Sequence, residues 1–183
     1  MQTRAARADV PVESTWDLSD LFPDEAAWDA ACHAVDDARE AFAAHQGHLA
    51  DGAAALWACL EAQESLQLQL MRVGFFARLR NAQDGTDPAH QAAMARVSAM
   101  QARVEAATSF VDAEILAFPD GLLERFMAAE PGLAAFKVPL DDLLAQRPHR
   151  LAADTERVLA ALGDVLDAPY MVYNRAKSGD MQF

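Results

Sequence analysis

No His-Glu-x-x-His pair, no Gly-x-Ser-x-Gly turn and no glycine-rich phosphate loop occurs in this sequence. The first absence excludes the helix on which two histidines, one turn apart, present their imidazoles to a zinc ion. The second excludes the strained elbow of a serine hydrolase, and the third the usual nucleotide cradle. Basic residues are scarce, 15 against 28 acidic, and the resulting net charge of −13 repels phosphate backbones and anionic lipid heads. Nucleic-acid and membrane partners are therefore not expected. Arg4, Arg7 and Asp9 interrupt the N-terminus, so it lacks the apolar core of a signal peptide, and no apolar run approaches the roughly 18 residues of a membrane span. With no secretion signal, the two cysteines, Cys32 and Cys59, are expected to be reduced thiols in a core, and the cytoplasm is the expected location.

Glycine and proline number only 8 each, while alanine is abundant and 52% of the 183 residues are hydrophobic. That composition favours helices and a packed interior. Residues 1–13 read as a loose polar leader, and 14–183 as one helical domain. In 16–23 apolar anchors alternate with turn formers, and Asp24 is placed to cap a helix with Glu25 in its first turn. Trp28, Ala31, Val35, Ala38 and Phe42 then recur at spacings of three and four, one apolar stripe. A second helix is predicted from 53 to about 81. One of its faces carries Trp57, Leu68, Met71, Phe75 and Leu79, another Leu66, Leu70 and Val73, so it should pack on more than one side. The stretch 81–88 is a loop ending in Asp87 as N-cap and Pro88 at the first helical position.

A third helix is predicted to run to about 118, with Val97, Val104, Val111 and Phe118 repeating every seven residues as a seam for a second long helix. The short loop makes the second and third helices an antiparallel hairpin. Beyond Pro119 the apolar runs shorten, punctuated by Pro131, Pro139, Pro148, Gly163 and Pro169, with Asp154 a candidate cap. The expected fold is all-α: three long antiparallel helices followed by several short ones, with no sheet.

Chemistry is harder to place. His33, Asp37 and Glu40 fall on one helix face at a spacing that can hold a metal in a bundle, but a solvated polar face opposite the Trp28–Phe42 stripe is the preferred reading. His45 and His48 sit near a helix end and should be exposed. Cys32 and His33 are adjacent, so they point about 100° apart and form no nucleophile–base pair. Glu61 and Glu64 read as surface acids, and Phe75, Phe76 and Met71 as core. No catalytic, cofactor-binding or metal-binding residue is assigned.

A resemblance adds what the residue chemistry does not. Trp16-Asp17-Leu18-Ser19-Asp20-Leu21-Phe22, with Trp28 after it, resembles the opening of the oligoendopeptidase F family. Phe75-Phe76-Ala77 resembles that family's aromatic-Ala pair, and the stretches 84–91 and 110–116 resemble its next helical hairpin. Arg147-Pro148-His149 with Leu151 and Glu156 resembles its Pro-His-x-Leu turn, and 179–183 its closing Asp-x-x-Phe. Ala152 where serine is common, and Phe75 where tyrosine is frequent, depart from the pattern. The ordered set spans 14–183.

The resemblance implies the non-catalytic N-terminal helical domain of a cytoplasmic zinc oligopeptidase, forming a wall or lid of the cleft that admits short peptides. It places the zinc, its ligands and the general base in a C-terminal catalytic domain outside this chain, which is then the expected partner together with oligopeptide substrates. The close of the sequence at Phe183, soon after Gly179-Asp180, likewise reads as an element beginning. The alternative is a stand-alone helical interaction module that uses the Val97–Phe118 seam to dimerise or to grip a partner helix. On the first reading an apolar patch is expected on the short C-terminal helices.

Overall fold

The structure, a computed structural model, describes residues 9–149, 155, 158 and 162–177. Its elements begin where the polar caps place them. Asp24 is extended and its Oδ1 accepts from the Ala27 amide at 2.8 Å, starting α1 (Glu25–Phe42). Asp87 accepts from the Ala89 amide at 2.7 Å, and Pro88 opens α3 (Pro88–Thr108). Between them lies α2 (Ala53–Gln83). The α2–α3 loop is tied by Thr86, whose amide and hydroxyl both donate to Asp84, and by Gln91, which donates to the Gly85 carbonyl. The Thr86 donors hold the Asp84 carboxyl below its ordinary pKa.

The third helix is shorter than the periodicity predicts. It stops at Thr108, and α4 (Phe110–Leu116) resumes after Ser109. Thr108 Oγ1 donates back to the Val104 carbonyl at 3.0 Å and Ser109 Oγ to that of Ala106 at 2.9 Å, so hydroxyls occupy acceptors at the break. Then come α5 (Leu122–Ala129), the 3-10 segment Pro131–Phe136, and α6 (Lys137–Gln146). Pro139 does not interrupt the chain as expected; it lies in the first turn of α6, where a missing amide costs nothing. Arg147–His149 forms a 3-10 turn. Short 3-10 turns also occur earlier, Val12–Ser14 spanning the boundary set at residue 13 between leader and helical domain. No strand occurs among the described residues.

The chain divides into two units. In Ala6–Leu144, α1, α2 and α3 pack together. Glu25 meets Arg80 and Trp28 meets Val73, so α1 and α2 run in opposite directions. Asp29 meets Arg96 and Asp36 meets Arg103, which sets α3 alongside α1 in the same direction. The α1 stripe is buried as predicted, with Cys32 added to Trp28, Val35 and Phe42. Val97, Met100, Val104, Val111 and Phe118 are all buried inside this unit. Phe42 stacks near Phe110 of α4 at 5.6 Å between centroids, and Phe118 meets Phe126 of α5 edge-on at 6.0 Å.

In the second unit, which takes in Ala145–Phe183, the described helix is α7 (Gly163–Arg175). It holds Gly163 at its start and Pro169 inside it, where the sequence reading has both as breaks. Asp154, Leu151, Ala152, Glu156 and the stretch 179–183 lie outside the described residues.

Candidate functional site

Among the described side chains, His33, His45, His48 and His90 have separate partners. His33 Nδ1 lies 3.5 Å from Asp29, not against Asp37 or Glu40, and Asp29 is itself taken by Arg96 at 2.5 Å. That guanidinium, with a smaller contribution from His33, holds the Asp29 carboxyl below its usual range, and the same pair raises Arg96. Glu40 accepts from Arg39. Of the residues suggested for a metal, His33 thus borders an ion pair that joins α1 to α3, and Glu40 pairs within α1. His48 pairs with Asp51 at 2.7 Å, and His90 is buried with Nδ1 2.9 Å from the Asp84 carbonyl. His45 is half-buried rather than exposed, its ring 5.4 Å from Phe42. Among the described residues no three His, Cys, Asp or Glu side chains are placed to share a metal ion.

The cysteines are packing residues. Both are free and fully buried. Burial pushes the Cys59 thiol up to about 11, with the Glu114 carboxylate adding to the effect, and raises Cys32 as well. Neither supplies a thiolate at neutral pH. Glu114 has its own task, accepting from the Gly47 amide at 2.6 Å where that glycine adopts φ +84°.

A shallow depression of about 330 Å³ lies where 16–25 crosses the C-terminal part of α2. Phe22 is its buried anchor, edge-on to Phe76 at 5.4 Å, with Arg80 over the Phe76 ring and paired to Glu25 at 3.7 Å. Trp16, read in the sequence as an anchor, is 86% exposed at the rim. The motif Trp16–Phe22 therefore splits into one core aromatic and one left in water, which alternation alone does not signal.

The larger departure is on α2. Its inner face, with Leu66, Val73, Phe76 and Ala77, is buried, but the second face is covered only toward its start. There Gly132 approaches the Trp57 indole so closely that a Cβ would lie 2.4 Å from Nε1. Further along, Leu68, Met71, Phe75 and Leu79 are 58%, 52%, 45% and 37% exposed. So α2 packs on one full side and half of another, and Phe75 and Met71 are not core as read. In the second unit α7 also shows water a broad apolar surface, including Val165, Leu166, Met171 and Val172 with Tyr170 and Tyr173 stacked at 6.5 Å. No described helix is long and apolar enough to cross a membrane. What the arrangement offers is surface for apolar contact, on two separate units.

Known proteins match this chain throughout. A family model for M3 peptidase N-terminal regions, described as "Oligopeptidase F", matches residues 114–183. Oligopeptidase PepF of Bacillus subtilis (strain 168) is 27% identical over 177 residues, covering 97% of this chain and 26% of that protein. Group B oligopeptidase PepB of Streptococcus agalactiae serotype III is 24% identical, over 97% of this chain and 30% of its own length. The crystal structure of oligoendopeptidase-F from Enterococcus faecium superposes with a TM-score of 0.72 at 25% identity, covering 87% of this chain and 32% of that one. A putative peptidase from Chlamydophila abortus shares the fold, with a TM-score of 0.69 at 19% identity. The chain thus spans about a quarter to a third of the proteins it matches.

Proposed function

We propose that this chain, which resembles the N-terminal region of oligoendopeptidase F, a peptidase family, works as the non-catalytic helical wall of a zinc-dependent oligopeptidase cleft. The observation that carries the reading is the match across 97% of this chain to proteins between three and four times its length that are named as oligopeptidases. The exposed apolar surface of α7 supports it, since exposed apolar surface of this kind marks a site of contact with another protein surface. A rigid wall acts by shape. Three helices sharing one core hold a fixed surface beside a cleft, so that flexible peptides enter and folded proteins do not. Movement of the wall as a lid would then exclude water from the bound peptide.

The zinc that this reading requires finds no ligand set among the described residues, so no chemical step is assigned to them. Metal, general base and the cut bond belong to the peptidase domain; oligopeptides are the substrates and the cytoplasm the compartment. The stand-alone module is less well supported, because the Val97–Phe118 seam it needs is already buried within its own unit.

The reading predicts that the purified 183-residue chain leaves internally quenched fluorogenic oligopeptides intact, with or without added zinc. Turnover by a clean preparation, abolished by a chelator, would show that the chain carries its own active site and end the proposal.

A further inference from the structure

The strip on α2 has features beyond exposure. Leu68, Met71, Phe75 and Leu79 follow one another at spacings of three, four and four, the spacing by which one helix presents knobs to another. They run along about 17 Å of helix at 1.5 Å per residue. The charges beside them are sorted by position. Glu61 and Glu64 are exposed just before the strip begins, Arg72 flanks its middle and Arg78 its C-terminal end, with the Arg78 guanidinium 5.8 Å over the Phe75 ring. Arg72 is held in place by donating to the Leu21 carbonyl at 2.6 Å and lying over Phe22. The strip also continues a face that is already in use, since Trp57, further back along it, is covered by Gly132.

We propose that this strip seats one antiparallel amphipathic helix, with carboxylates in its N-terminal half and cations in its C-terminal half, contributed by the peptidase domain. The proposal rests on the functional reading above and names where one of that domain's helices lies. An antiparallel helix brings its first turns, where carboxylates are favoured by the helix dipole, against Arg72 and Arg78. Its last turns, where cations are favoured, meet Glu61 and Glu64. Area and charge both argue against a second copy. The four side chains leave on the order of 400 Å² of apolar surface in water, the size of a functional patch, whereas separate chains in a stable dimer bury about 800 Å² each. Two copies at −13 each also repel one another. One amphipathic helix laid by its apolar face along the strip needs less area than such a dimer.

The test uses the 183-residue chain and two stapled helical peptides of about 18 residues, long enough to cover the strip at 1.5 Å per residue. Both carry the same leucine seam. One has Glu in its N-terminal half and Lys in its C-terminal half; the other has them exchanged. The first is expected to bind at least tenfold more tightly than the second, and Phe75→Gln, a change of an exposed side chain, to weaken it at least tenfold. Arg78→Glu should narrow or reverse the preference between the peptides. Equal binding of the two peptides, or none, overturns the proposal. So does a concentration-dependent dimer that Phe75→Gln dissolves, which makes the occupant a second copy, or displacement by an unstructured oligopeptide, which makes it substrate. None of these outcomes touches the hydrolysis test, so the helix seat and the peptidase reading fail separately.

Discussion

Trp28→Ala should remove about 3–5 kcal/mol of stability, the usual cost of truncating a buried tryptophan. Trp28 is the point at which all three long helices meet. It is 4% exposed on α1, its Nε1–H donates to the Val73 carbonyl of α2 at 3.0 Å, its ring lies 6.1 Å from Phe76, and Arg96 of α3 is stacked over it at 5.3 Å. Such a loss is a large part of the 5–15 kcal/mol that holds an ordinary domain together. Trp28→Phe keeps most of the ring and loses the donor, and should cost about 1–2 kcal/mol, closer to a single hydrogen bond with a small volume change. Urea unfolding followed by far-UV circular dichroism separates the two. A Trp28→Ala protein within about 1 kcal/mol of the parent, below the range for such truncations, would mean that the three helices are not joined here.

Gly132→Ala should destabilise by about 1–3 kcal/mol, the cost of forcing extra volume into a packed contact. A Cβ there would sit 2.4, 2.7 and 2.9 Å from three atoms of the Trp57 indole, and the adjacent Leu133 is fully buried, so the 3-10 segment has little room to back away. The neighbour is a ring rather than the tip of a flexible chain, and the ring must tilt or the Pro131–Phe136 segment must lift. If the contact is the cause, placing Gly132→Ala in a Trp57→Ala background should cost less than about 0.5 kcal/mol, within ordinary additivity error. An equal cost in both backgrounds would put the strain elsewhere. The contact bears on the proposed helix seat because Pro131–Phe136 covers the near part of the face whose far part is bare.

Much of the fold was legible where a local signal decides the structure. Asp24 and the Asp87-Pro88 pair mark helix starts through hydrogen bonds made within three residues, and the Trp28–Phe42 stripe shows its face through period alone. What escaped depends on what lies opposite. Periodicity shows that the Leu68–Leu79 face of α2 is apolar, but whether another element covers it is set by residues far away in sequence. The break at Ser109 turns on hydroxyl rotamers that a seven-residue repeat carries straight through. Pro139 was misread because a proline closes a helix or sits in its first turn according to where the helix begins, and no strong cap marks that start. The site divides in the same way. No catalytic set is assigned from residue chemistry and the resemblance implies a role, while the surfaces through which that role would be exercised emerge only from burial.

The central claim is that this chain acts as the front of a larger peptidase. The most direct test is the intact mass of the native polypeptide in its source cells, captured with an antibody raised against the helical unit. The account predicts a product several times heavier than the 19.8 kDa of this chain. A native product of about 19.8 kDa would contradict it, and the exposed faces of α2 and α7 would then have to be explained by a separate partner.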